Sequence, residues 1–390
     1  MPLLCIKTLT GKGRDINQQF GFAFPALQRL APVVRNVDKA GAEVLLVGMF
    51  DDDAALANVL AYMSVAPGKP MVRPRGELRA IVGGDQMGGL GAMLGGRLPV
   101  VFLSVAATKA VLAAGGVDFA TVRAWVEADG PAPVLDGAPR VGIDLPLRRE
   151  DAEACNVVAV LRGADAELAT EAVVFSAHMD HVGARLDGDV FNGADDNASG
   201  TAGLLEIAQA FARTETRPKR SVIFLSVSGE ELGLWGSAFY AENPTWPLAN
   251  LIGNVNTDMI GRGGPDAALG QVMLTPSYKH AQYSTMARTA AEAAAVVGIE
   301  VLADDKFFER SDHYNFVKRG IPAVFFCCAG EHADYHQVTD HADLLDDEQM
   351  EKTARLAYWV GRAVADADMR PSVLGRHTDW FGEPRRRRGR

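Results

Sequence analysis

Cysteine is scarce in this chain: four residues in 390, at Cys5, Cys155 and the adjacent pair Cys327 and Cys328. No disulfide framework is legible in that spacing, and the pair closing the strand-like PAVFFCC reads as small apolar filler rather than a redox couple or metal site. A run of roughly 20 unbroken apolar residues is also missing, which leaves no helical membrane span. The opening MPLLCIKTLTGKGRDINQQF has neither the long apolar stretch nor the small-residue cleavage site of a signal peptide. The expected compartment is therefore the cytoplasm, or a secreted or periplasmic one if a leader has been lost. Excess positive charge is lacking too: the formal net charge is −10, which argues against nucleic acid as the main partner, since phosphate binding needs a basic surface. The terminal RRRRGR is the exception and reads as a solvated tail.

What is present suits a soluble, globular chain long enough for two domains, with 48% hydrophobic and 23% charged residues. From about 30 to 145 the chain is rich in Ala, Gly, Val and Pro. It offers strand candidates EVLLVGMF (43–50), LRAIVG (78–83) and LPVVFLSV (98–105) and a helix candidate TKAVLAAG (108–115). The glycine run GGDQMGGLGAMLGG (83–96) misses the G-x-G-x-x-G spacing by one position and reads as a surface loop. From about 155 strands and helices alternate. NVVAVL, AVVFSA, SVIFLS, LIGNVN and PAVFFC are short β-branched runs, and TAGLLEIAQAFART, ELGLWGSAFYAE, YSTMARTAAEAAAVVG and DEQMEKTARLAYWVGRAVAD carry apolar residues at helical spacing. Such alternation predicts an α/β domain with a mainly parallel sheet covered on both faces, and places the site beyond the carboxyl ends of the strands.

Those ends carry the polar residues. AVVFSA runs into His178, Met179, Asp180 and His181; the following loop FNGADDNASG holds Asp195 and Asp196; SVIFLS leads to Glu230 and Glu231; LIGNVN leads to Thr257 and Asp258; PAVFFCC leads to EHADYHQVTD with His332, Asp334, Tyr335 and His336. Singly, an Asp there is a cap or turn former and a Glu pair complements a helix dipole. His181, His280, His313, His332, His341 and His377 read as ordinary polar residues. Jointly, two His and three carboxylates at one end of one sheet form a nitrogen and oxygen donor set suited to zinc, and large enough for two ions. Asp196, on a tight turn of small residues, is the candidate bridge between two metals. Asp180 is the candidate carboxylate that orients the His178 imidazole. Asn197 and Ser199 are left to cap the helix TAGLLEIAQAFA, whose Leu204, Leu205, Ala208 and Phe211 are expected on its packed face.

In order, AHMDHVG, FNGADDNASG, SGEELGLWGS, NTDMIG, ERSDHYNF and DYHQVTD closely resemble the motifs of the co-catalytic dizinc aminopeptidases of the M28 peptidase family, over about residues 155 to 365. Residues 30–145 resemble, more weakly, the protease-associated domain inserted in many members. The resemblance implies a three-layer α/β sandwich of zinc-peptidase (phosphorylase/hydrolase-like) type with a mixed, mainly parallel sheet over 151–370. It implies a smaller β-rich α+β domain over 1–150, leaving 371–390 as a C-terminal tail. By motif, His178 and Asp258 would complete one zinc site, Glu231 and His336 the other, with Asp196 bridging, Glu230 as general base and Tyr335 as an oxyanion-stabilising phenol. The bond from Asp196 to Asn197 would be cis. Ser311 and Asp312 would organise their loop, Ser-Asp before a helical run being a good cap.

The implied activity is zinc-dependent removal of N-terminal residues from peptides. Within the family an acidic-residue carboxypeptidase, for which Arg262 and Arg310 stand near site motifs, and a single-zinc glutaminyl cyclase are the alternatives. Outside catalysis, a receptor-like interaction protein is the rival, and it would have lost ligands or Glu230. All are present here.

Overall fold

The computed structural model describes residues 44–48, 76–81, 100–127, 151–184, 188–328 and 330–381, with scattered positions between 32 and 39. It divides into two units, Met1–Glu153 with Gly183–Val190, and Ala154–Val182 with Phe191–Arg390. In the first unit β1 (Leu45–Gly48) pairs in parallel with β2 (Val100–Leu103). The helices described there include α1 (Gly76–Ile81), α2 (Val105–Ala114) and α3 (Phe119–Glu127). Ser104 starts α2 by accepting a hydrogen bond from Ala107 N at 3.2 Å. Of the stretch LRAIVG, expected as a strand, residues 78–81 are the end of α1. A short apolar run does not distinguish strand from helix by itself, and Glu77, Leu78, Arg79 and Ala80 are all good helix formers. The 83–96 glycine run, Cys5, the RRRRGR ending and most of the expected β-rich domain lie outside the described residues.

The second unit is built on seven strands in the order β3-β5-β4-β6-β9-β7-β8. Its centre is β5 (Ser221–Val227), β4 (Ala172–His178), β6 (Leu251–Thr257) and β9 (Ala323–Cys327), mutually parallel and almost wholly buried. Burial on both faces explains why these strands read as unbroken apolar runs. β3 (Val157–Leu161) joins β5 antiparallel, β7 (Gln271–Thr275) joins β9 antiparallel, and β8 (Glu300–Ala303) lies parallel to β7. The sheet is thus mixed and mainly parallel.

Alternation along β4 sets the layers. Val173, Phe175 and Ala177 face Leu204, Ile207 and Phe211 of α4 (Gly200–Arg213), Met286 and Ala290 of α6 (Thr285–Val297), and Leu356 and Val360 of α8 (Asp347–Asp366). Ala172 and Val174 face Tyr240 of α5 (Trp235–Glu242) and Phe316 of α7 (His313–Val317). Gly361 lets α8 ride on the sheet: a Cβ there would stand 2.0 Å from Phe175 Cζ. Each fully buried aromatic or branched side chain of this kind contributes about 1.5–3 kcal/mol. Leu205, expected on the packed face of α4, is 66% exposed instead, because the i, i+3, i+7 stripe runs through Leu204, Ile207 and Phe211.

Two further observations concern the C-terminal segment and the cysteines. Residues 371–381, counted with the tail, dock on the domain: Ser284 bridges Val373, Leu374 N donates to Tyr283 O at 2.7 Å, and Trp380 meets the Tyr278 ring edge-on at 5.2 Å. Cys327 and Cys328 are buried free thiols. As neighbours on an extended strand they point to opposite faces, Cys327 toward Met259 and Met273 and Cys328 toward Thr353.

Candidate metal centre

His178 is the last residue of β4 and Asp258 follows β6, its neighbour in the sheet, so parallel pairing alone brings them together. His178 Nε2 stands 3.4 Å from Asp258 Oδ1 and 3.3 Å from Asp196 Oδ1. On the other side of Asp196, its Oδ2 is 2.9 Å from His336 Nε2, which is 3.1 Å from Glu231 Oε2. Two groups of donors therefore share Asp196: His178, Asp196 and Asp258, and His181, Asp196, Glu231 and His336. Glu230 belongs to neither, with Oε2 4.0 Å from His178 Nε2.

The Asp196 turn is locked by its neighbours. Asp340 Oδ2 accepts from the backbone N–H of Asp195 at 3.0 Å and of Asp196 at 3.3 Å. Asp195 turns away from the donors: Oδ1 accepts from Gly261 N at 2.7 Å and Oδ2 lies 3.2 Å from His332 Nε2. The peptide bond between Asp196 and Asn197 is cis. Asn197 is the helix cap, its Oδ1 accepting from Gly200 N at 2.9 Å and Met259 N at 3.2 Å. Ser199, the other expected cap, donates to Asp195 O at 2.7 Å and accepts from Ile260 N at 3.0 Å, and so ties the turn to β6. The approach is close: a Cβ on Gly200 would stand 2.2 Å from Asn197 Oδ1. Met259 and His336, each beside or within the donor set, hold positive φ of 57° and 53°, a conformation that bulky residues adopt only when surroundings over-determine it.

Asp180, the residue expected to orient His178, also holds the glutamate turn. Its carboxylate accepts from Glu230 N at 3.2 Å and Glu231 N at 3.3 Å and so shapes the turn that carries both glutamates. The group nearest His178 Nδ1 is the Asp180 backbone carbonyl at 3.1 Å, with Oδ1 at 3.7 Å. A carbonyl can only accept, so in the neutral ring Nδ1 carries the proton and Nε2 offers its lone pair toward Asp258 and Asp196. Ser311 donates to Asp258 Oδ2 at 2.7 Å and accepts from Asn256 at 2.8 Å. Asp312 precedes α7 but makes no capping bond. It is fully buried, and burial, with Asp258 and Asp180 adding to it against the pull of His178, pushes it up to about 7.

The six histidines read as ordinary do not share one fate. His181 joins the second donor group, with Nδ1 2.8 Å from Glu231 Oε1. The His-x-x-His spacing of HMDH is the signal that could have found it. His332 is buried against Asp195. His313 stacks on Phe325 at 4.8 Å, and burial pushes it down to about 3. His341 lies 3.2 Å from Asn192 Nδ2, His280 packs on Phe308, and His377 meets Tyr283. Tyr335 stacks on the His336 ring at 4.0 Å and lines a cleft with Asp196, Glu230, Asp258, Phe307 and Arg310. Burial, reinforced by Asp196 and Glu231, holds its phenol well above the ordinary range. Arg310 binds Glu331 at 2.6 Å, and Arg262 binds Asp334 at 2.9 Å with Asp340 at 3.8 Å.

The electrostatics ask for cations. Burial works against charge on His178, yet Asp258 and Glu230 hold it well above its usual value; burial likewise opposes His336, which Glu231 and Asp196 lift to about 10. Burial would raise Asp196, but the imidazoles of His178 and His336 pull it well below the ordinary carboxylate range. Glu230 is pushed well above that range by burial, against His178 and with Glu231 and Asp258 reinforcing it. Among the described residues, His178 Nε2, Asp258 Oδ1 and Glu231 Oε1 are buried without an aligned hydrogen bond, although each lies within 3.4 Å of another donor atom. Buried polar atoms are nearly always satisfied. Lone-pair atoms gathered and left unmatched, from imidazole and carboxylate, fit zinc.

The chain is similar to known peptidases. The model of peptidase family M28 matches residues 156–360. A probable zinc metalloprotease of Leptosphaeria maculans is 31% identical over 241 residues, 52% of this chain and 54% of the relative. Leupeptin-inactivating enzyme 1 of Streptomyces exfoliatus is 33% identical over 131 residues, 33% of this chain and 28% of the relative. The LapA aminopeptidase structure of Legionella pneumophila superposes with a TM-score of 0.44 at 25% identity, over 55% of this chain and 56% of that one. The chain spans about half the length of the first of these relatives.

Proposed function

This chain belongs to peptidase family M28, and from that premise we propose that it is a zinc-dependent exopeptidase, an aminopeptidase that hydrolyses N-terminal residues from peptides. The observation that carries the proposal is the division of the Asp196 carboxylate, one oxygen 3.3 Å from His178 Nε2 and the other 2.9 Å from His336 Nε2. In this reading two zinc ions would be held, one by His178, Asp258 and Asp196, the other by Glu231, His336 and the same Asp196. When bound, the ions supply a polarised substrate carbonyl and a water acidified toward neutral pH.

The remaining steps fall to the chain's own groups. Glu230 stands beside the donors without joining them and takes the proton of the attacking water, then returns it to the leaving amine nitrogen. Asp180 keeps the Glu230–Glu231 turn fixed, so that one glutamate faces the donor cluster while its neighbour reaches the water. Tyr335, lining the cleft and stacked on His336, is placed to donate to the substrate's carbonyl oxygen. Phe307 and Met259 give the cleft apolar wall for a side chain.

An acidic-residue carboxypeptidase would need a cation over the substrate carboxylate. Arg262 and Arg310 are each already bound to carboxylates, which favours recognition of a free α-amino group instead. The test is a panel of aminoacyl, N-blocked and C-terminal acidic chromogenic substrates with added zinc. Cleavage of free aminoacyl substrates alone supports the proposal. Cleavage only of N-blocked or C-terminal acidic substrates, or none with zinc bound, refutes it.

A further inference from the structure

His181 is the one donor of the second group that neither the motif carry-over nor the proposed mechanism uses. Its side chain is about nine-tenths buried, and among the described residues neither ring nitrogen has a hydrogen-bond partner. Nδ1 nevertheless lies 2.8 Å from Glu231 Oε1 and 4.0 Å from Asp196 Oδ2, the oxygen that also faces His336. A contact that short without hydrogen-bond alignment is the arrangement of two lone pairs aimed at a common point rather than at each other.

The ring is held there. Gly193, at φ +60°, exists in a form that only a residue without a side chain fills easily: an added Cβ would stand 2.6 Å from His181 Cγ. On its other side the ring meets His336 edge-on, centroids 5.3 Å apart. The glycine of FNGADDN thus makes room for an imidazole whose Nδ1 joins Asp196, Glu231 and His336 within 4.8 Å of one another.

We infer that His181 is a direct fourth protein ligand of the outer metal, the one held by Glu231 and His336. The inference rests on the zinc reading above. Four protein donors satisfy the four-coordinate preference of zinc, whereas the inner set of His178, Asp196 and Asp258 offers three.

The experiment uses the full chain loaded with zinc or cobalt(II). Metal per chain is measured through a graded chelator series for wild type, His181→Phe and His181→Ala. The Phe variant keeps ring volume against Gly193 and His336, and the Ala variant removes it. The visible spectrum of the cobalt form reports ligand number. Wild type is expected to retain two metals, and both variants to release one of them at a chelator concentration about tenfold lower or more, with the cobalt bands altered and the second metal unchanged. Release curves and spectra identical to wild type would overturn the inference while leaving the two-metal reading standing. Weaker retention with an unchanged cobalt spectrum would also overturn it, by making His181 a group that orients Glu231. A wild-type chain that holds no metal would remove the underlying reading and the inference with it.

Discussion

The two halves of the donor cluster are built differently. His178 and Asp258 come from adjacent parallel strands whose pairing fixes their separation before any loop is placed, and Ser311 and the Asp180 carbonyl complete their surroundings. Glu231, His336 and His181 come from turns, one held by the Asp180 carboxylate and one passing through His336 at φ +53°. Asp196 sits between them on a turn anchored by Asp340. A strand-end pair is positioned by the sheet; a turn-borne set depends on second contacts, each of which can be removed singly. The comparison therefore predicts that mutations outside the donors damage the outer half more than the inner.

The largest effect is expected where the halves meet. Asp196→Asn should abolish zinc retention at both positions and reduce activity to background, beyond the roughly 10⁴-fold ceiling of a single acid–base group; retention of two zinc ions by this variant, measured by elemental analysis, would dissolve the shared-carboxylate picture. Glu230→Gln, belonging to neither half, should lower kcat by about 10²–10⁴-fold with zinc content unchanged. Steady-state kinetics beside metal analysis separate that outcome from simple metal loss.

Asp180→Asn cuts between the halves. Its backbone carbonyl remains for His178, while the turn carrying Glu231 loses a charged acceptor, so outer-metal affinity should fall about 10–100-fold and the inner should hold. Equal losses at both positions in a metal titration would show that the halves are not separable. Ser311→Ala is the mirror image and the mildest change: one hydrogen bond to Asp258 is lost, and inner-metal affinity should drop about tenfold with the outer unaffected.

The same division explains what could be read from the chain. The strand-end residues were legible because short β-branched runs point their termini one way, and each of four runs ended in His, Asp or Glu. β7 and β8 escaped notice because QVMLT and EVLA carry polar residues at their margins and sit at the side of the sheet, where the continuous apolar pattern fades. The antiparallel direction of β3 and β7 is a property of connections, not of strand composition. His181 was passed over because a histidine three residues from a stronger candidate looks redundant until the loop folds Nδ1 back toward Glu231. Asp340 and the second task of Asp180 were hidden for another reason. Both act on backbone N–H groups, Asp340 on residues more than 140 positions away, and side-chain patterning carries no trace of that. Leu205 shows the opposite failure, an apolar residue counted into the core that helical phase puts outside.

The central claim is that Asp196 divides one carboxylate between two metal positions, one strand-built and one turn-built. Anomalous diffraction at the zinc edge from crystals of the zinc-loaded chain tests it most directly. Two peaks are predicted, about 3.5–4 Å apart on either side of the Asp196 carboxylate, with Glu230 bound to neither. A single peak, or two that do not share Asp196, would contradict the account.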